Sequence, residues 1–103
     1  MKIVVKEVGQ EPEVKEVENE LHVLQGIVGG YIQCVSLPKN VLCICNEEGK
    51  ILNMPANIVL GFDVICGDIL FCSSNGEDFD SLNDEQIELV TNIIKEFKIS
   101  KRM

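Results

Sequence analysis

Histidine and tyrosine occur once each in this sequence, as His22 and Tyr31, and no two cysteines are spaced as C-x-x-C. The longest apolar run, Val41–Cys45, is far short of the ~18 residues that a membrane-spanning helix needs. One histidine remote from the cysteines does not supply the clustered Cys/His donors of a zinc site. Positive charge is scarce as well. Nine Lys and Arg stand against seventeen Asp and Glu, and the net charge of −8 argues against direct contact with nucleic acid or an anionic membrane. Only Ile3-Val4-Val5 separates Lys2 from Lys6, so no secretory leader is visible. Gly29-Gly30 follows a helical pattern instead of opening one, which excludes the phosphate-cradling and dinucleotide-binding loops. There is no nucleophile elbow and no H-E-x-x-H pair. Cys34, His22 and an aspartate have no spacing that recommends them as a catalytic set. The acidic pairs, Glu47-Glu48 and Asp78 with Asp80, fall in turn-forming stretches where solvation keeps carboxylates ionised. The chain reads as non-enzymatic, with no catalytic residue, metal or cofactor.

What is present is a folding sequence. At 103 residues with 46% apolar content it has the size and composition of a single globular domain, residues 1–103. The five cysteines are odd in number, and four sit in strand-like segments. They read as small buried hydrophobes of a reduced, cytoplasmic protein.

Patterning predicts an α+β fold: a mainly antiparallel sheet of five to seven short strands packed with two α-helices, in the order β-β-α-β-β-β-β-β-α. Strands are expected at Met1–Val8, Glu13–Val17, Tyr31–Leu37, Val41–Asn46, Lys50–Met54, Asp63–Cys66 and Ile69–Ser73, with Asn57–Gly61 ambiguous and Ser74–Asp80 a loop. Asn19 is placed to cap a first helix with Glu20 in its first turn. Leu21, Leu24 and Val28 form the apolar face of that helix, His22 points away, and Gly29-Gly30 ends it. Asn83 and Gln86 form the capping box of a second helix, and Lys98, Lys101 and Arg102 suit its C-terminus.

Two features point to association. Val41–Asn46 is apolar on both faces, so it needs cover on both. With both helices assigned to one layer, a partner chain is the candidate for the other. The second helix carries Leu89 and Ile93 beside its core stripe of Ile87, Val90, Ile94 and Phe97, giving an apolar face wider than one docking surface requires. A homo-oligomer is expected.

The polar centre of interest runs from Asn46 to Asn57. Much of it is turn chemistry, Gly49 above all, with Pro55 ending strand pairing. Asn46, Asn53 and Asn57 have amides that both donate and accept, Lys50 is suited to an anion, and Tyr31 to stacking on a planar group. These five are the candidate ligand-binding residues.

Four stretches carry a resemblance: L-Q-G-I-V-G-G-Y-I at Leu24–Ile32, N-E-E-G-K-I-L-N-M-P-A-N at Asn46–Asn57, C-G-D-I-L-F at Cys66–Phe71 and S-L-N-D-E-Q at Ser81–Gln86. In order and extent they resemble the domain of unknown function 3846 family, small proteins encoded by phages, plasmids and Gram-positive bacteria. Ile58-Val59-Leu60 departs from the pattern, which is more basic or polar after the asparagine. The resemblance transfers no activity. It implies an accessory protein of a mobile element, many of which counter host defence. The function expected is an oligomeric sponge that sequesters a small anionic nucleotide-type ligand; the alternatives are an acidic inhibitor that binds a host protein and a structural or accessory domain.

Overall fold

The computed structural model describes residues 1–99, so Lys101 and Arg102 lie outside the described residues. The elements are β1 (Lys2–Lys6), β2 (Glu13–Glu16), α1 (Leu21–Val28), β3 (Ile32–Ser36), β4 (Val41–Asn46), β5 (Ala56–Leu60), β6 (Asp63–Cys66), β7 (Ile69–Ser74), β8 (Phe79–Asp80) and α2 (Asp84–Phe97). This is the α+β fold expected. A six-stranded sheet has the order β2-β1-β7-β4-β3, with β8 paired to the end of β7, and β5-β6 is a separate hairpin. All pairings are antiparallel.

β7 is the hub, bonded to β1, β4 and β8, and its residues Ile69–Ser73 are all buried. Because strand residues alternate between faces, β4 divides its side chains between two apolar layers. Cys43 and Cys45 join Val4, Phe71, Ile58, Val90 and Ile94 on one face, while Ile44 joins Ile3, Leu70, Leu24 and Val28 on the other. α2 and the β5-β6 hairpin cover the first face, and α1 covers the second.

That arrangement corrects the association argument. The helices lie on opposite faces, so both sides of β4 are covered from within the chain. The broad stripe of α2 is also largely occupied, since Ile87 and Leu89 pack against the first layer. Phe97, expected in that stripe, is about half exposed instead.

Local corrections have identifiable causes. α1 is capped at Glu20 without a side-chain bond, and Asn19, one residue before the cap, instead donates its amide to the Phe79 carbonyl at 2.8 Å. Leu21 lies in the first turn and is exposed, leaving Leu24 and Val28 as the buried anchors. Gly29 adopts the left-handed conformation at φ 84° and donates to the Gln25 carbonyl, ending the helix as expected. Asn83 and Gln86 form the expected capping box, and the Gln86 amide reaches further, to the Lys39 carbonyl and the Ser73 hydroxyl. The Lys50–Met54 segment is no strand. Leu52, Asn53 and Met54 donate back to Glu48, Lys50 and Gly49, winding it into successive turns. Two residues of the segment expected to be a loop, Phe79–Asp80, form β8.

Candidate functional site

The Asn46–Asn57 segment leaves the sheet at the end of β4 and returns in β5, and its two ends are fixed by buried amides. Asn46 donates to the Val28 carbonyl at 3.2 Å and accepts from the Glu48 amide at 2.7 Å, joining the end of α1 to the start of the loop. A side chain on Gly30 has no room here, since its Cβ would stand 2.9 Å from the Asn46 nitrogen. Asn57 sits at a bulge, where the β5-β6 register shifts between Ala56 and Ile58. The bulge turns its side chain inward. There its amide donates to the Lys6 and Gly67 carbonyls, each at 2.8 Å, and accepts from the Lys6 ammonium at 3.0 Å. Lys6 is itself buried; desolvation, helped by the nearby charge of Lys98, lowers its pKa. The chain after α2 closes over this point, with the Ile99 amide donating to the Asn57 carbonyl.

Between these anchors the loop is open to solvent. Lys50 is exposed and bonded to the carboxylate of Asp63, which raises the lysine pKa and lowers that of the aspartate. This contact joins the loop to the start of β6. Ile51 and Val64, the residues that follow Lys50 and Asp63, line the same cleft beside it. Ile51 is 78% exposed, Leu52 55% and Tyr31 68%, while Phe62 is fully exposed.

Two clefts flank the loop. One, of about 240 Å³, is lined by Gln33, Cys45, Lys50, Ile51, Asp63 and Val64. The other, of about 230 Å³, is lined by Gly30, Tyr31, Asn46, Glu48 and Leu52 among others. Asn46 borders both. The five candidate residues are thus divided. Tyr31 and Asn46 share one cleft and Lys50 and Asn46 the other, whereas Asn53 lines neither of these two and Asn57 is inside the protein. Asn53 is exposed in the left-handed region at φ 57°, a conformation that asparagine adopts more readily than most residues.

The electrostatics of this end are acidic. Asp63 balances the charge of Lys50, and Glu47 and Glu48, both exposed, make no ion pair among those found for the described residues. Burial pushes the Cys72 thiol up to about 12 and raises Cys43 and Cys45 as well, and His22 is exposed on α1. Among the described residues no three His, Cys, Asp or Glu side chains are grouped to hold a metal, and no helix is long and apolar enough to cross a membrane.

Sequence reasoning weighted the polar residues of the segment and passed over Ile51, Leu52, Phe62 and Val64. The available signal was Gly61 followed by Phe62 and Asp63, a turn with a large apolar residue that strand alternation does not need. The comparisons with known proteins are sparse. The family profile described as Domain of unknown function (DUF3846) matches residues 1–98. No curated protein and no solved structure matches the chain.

Proposed function

Starting from a chain that belongs to the domain of unknown function 3846 family, we propose a non-enzymatic binding protein that docks on another protein. The observation that carries this reading is the exposure of large apolar side chains beside the loop of an acidic chain: Ile51 and Val64 line one cleft, Tyr31 and Leu52 the other, and Phe62 is fully exposed. A water-soluble body gains nothing from leaving large apolar side chains in solvent, and exposed apolar patches commonly mark interaction sites. Glu47 and Glu48 in the same loop, and the net charge of −8, favour a partner with an apolar hollow rimmed by Lys and Arg. The mobile-element setting implied by the family resemblance makes a cytoplasmic host protein the natural partner, bound as an inhibitor binds its target.

Sequestration of a small nucleotide-type anion is the second reading. It is favoured by the cleft of about 240 Å³ beside Lys50. A phosphate there must displace Asp63 from Lys50 and tolerate Glu47 and Glu48, and Asn57 is buried with both of its amide N–H groups already donated. The protein-docking reading meets neither obstacle.

Affinity capture from host cells tests the two together, with native protein beside Leu52→Asp/Phe62→Asp. Docking predicts one stoichiometric protein that is retained by native chain, lost with the variant, and released as salt rises. Equal recovery with both proteins contradicts it. An intact nucleotide released from native protein by heating, with no protein retained, replaces it by the second reading.

A further inference from the structure

The two outer strands of the main sheet are built differently. β2 has the sequence Glu-Val-Lys-Glu, with all four residues exposed. Charges of this kind at a sheet edge discourage another strand from pairing. β3, at the opposite edge, reads Ile-Gln-Cys-Val-Ser and has no charge at all. Nothing in its composition discourages a further strand.

The register shows which backbone groups are available. The Glu47 amide bonds to the Tyr31 carbonyl and the Leu37 amide to the Val41 carbonyl, each at 2.8 Å, in line with the β3-β4 pairing. Bonded and non-bonded pairs alternate along an antiparallel ladder. Gln33 and Val35 therefore direct their backbone groups to β4, while Ile32, Cys34 and Ser36 direct theirs outward.

We propose that this edge joins two copies of the chain, β3 against β3, antiparallel about a two-fold axis at Cys34. In that register Cys34 faces its own counterpart, and Ile32 of each copy faces Ser36 of the other. Each outward residue then exchanges both of its backbone hydrogen bonds. A two-fold axis needs a self-complementary strand, and this one brings no like charges together and opposes a small side chain to itself at the centre. Five residues at ~3.4 Å each make a seam of roughly 17 Å, too narrow by itself for a stable interface. Apolar cover is available beside it: Ile51 and Val64 are exposed in the cleft that Gln33 of β3 also lines. The association is thus separate from the interior faces of β4 and α2, which the chain covers itself.

Two bodies of charge −8 repel each other, so added salt strengthens this contact. Both contacts draw on Ile51 and Val64, so dimer and docked partner compete for that surface; docking on a basic partner responds to salt in the opposite sense, which keeps the two proposals separable. The test is sedimentation of the full chain up to about 500 µM in low and high salt, with amide exchange followed residue by residue. The expected result is a doubling of mass that shifts to lower protein concentration in high salt. The amides of Ile32, Cys34 and Ser36 should slow on association while those of Gln33 and Val35 barely change. Cys34→Lys, at an exposed position, should keep the native melting temperature and weaken association at least ~10-fold by setting two ammonium groups side by side. Cys34→Ser should associate like the native chain. A single copy at every concentration and salt level overturns the proposal. So does a dimer that Cys34→Lys leaves unchanged, or one in which amides 32, 34 and 36 remain unprotected.

Discussion

The anchors of the Asn46–Asn57 segment and the loop between them invert the usual distribution of side chains. Asn46 and Asn57 are buried, while Ile51 and Leu52 are in water. The amides at the anchors satisfy backbone carbonyls and amides that would otherwise be buried without partners, a role for which an amide's paired donor and acceptor groups are suited. Ile51 and Leu52 are largely left in solvent, whereas Met54 of the same loop is half-buried beside Gly67. The comparison teaches that polarity alone is a poor guide to exposure here: Asn46 and Asn57 maintain the fold from inside, while Ile51 and Leu52 stay in solvent, where the proposed docking would use them.

Mutations at the anchors should be costly and mutations in the loop should not. The largest effect is expected for Asn57→Ala, which strands two carbonyls and removes an acceptor from the buried Lys6 ammonium. A loss of about 3–5 kcal/mol is expected in urea denaturation, in the range for breaking a buried polar network. A loss under ~1 kcal/mol would show that Asn57 is not an anchor. Asn46→Ala removes two bonds between neutral groups and should cost about 1–2 kcal/mol. Gly30 is tied to the same side chain, and Gly30→Ala should also destabilise, because the new methyl meets the Asn46 amide.

A pH series sharpens the anchor side. The pKa of Lys6 is lowered in the folded protein, so the unfolded chain keeps its proton to higher pH. Stability contributed through Lys6 therefore rises as pH climbs through the folded pKa toward the unfolded value of 10.5. The raised thiols of Cys43 and Cys72 act in the opposite sense, since the unfolded chain begins to lose those protons near pH 9. Comparing native protein with Lys6→Met at each pH cancels the thiols. The difference in stability should move in favour of the native chain as pH rises from neutral to 10; a constant difference would remove Lys6 from the account. The smallest effect is expected at the loop itself. Lys50→Gln should leave the melting temperature unchanged, because exposed ion pairs add little.

Much of the fold was legible because local chemistry decides it. The capping box of Asn83 and Gln86, the left-handed Gly29, and the short apolar runs of β4 and β7 each depend on a few neighbouring residues. What was not legible depends on distant partners. Asn19 looks like a cap, but its amide donates to Phe79, sixty residues away. Lys-Ile-Leu-Asn-Met has the composition of a short strand, but no neighbouring strand pairs with it, and backbone bonds within the loop prevail. Which face each helix covers depends on chain crossings that periodicity does not encode. At the site, Tyr31 was legible at a strand entrance, while Lys50 was expected to begin a strand and stands in a loop of turns instead. The inward turn of Asn57 was not legible, because it results from a bulge set by pairing with β6.

The central claim is that the exposed apolar residues of the loop serve a partner and not the fold. The most direct measurement is Leu52→Asp, followed by thermal unfolding and by capture of the bound host protein from the same preparation. The account predicts an unchanged melting temperature together with loss of the captured protein. A variant that unfolds early, or one that captures its partner as well as the native chain does, would contradict it.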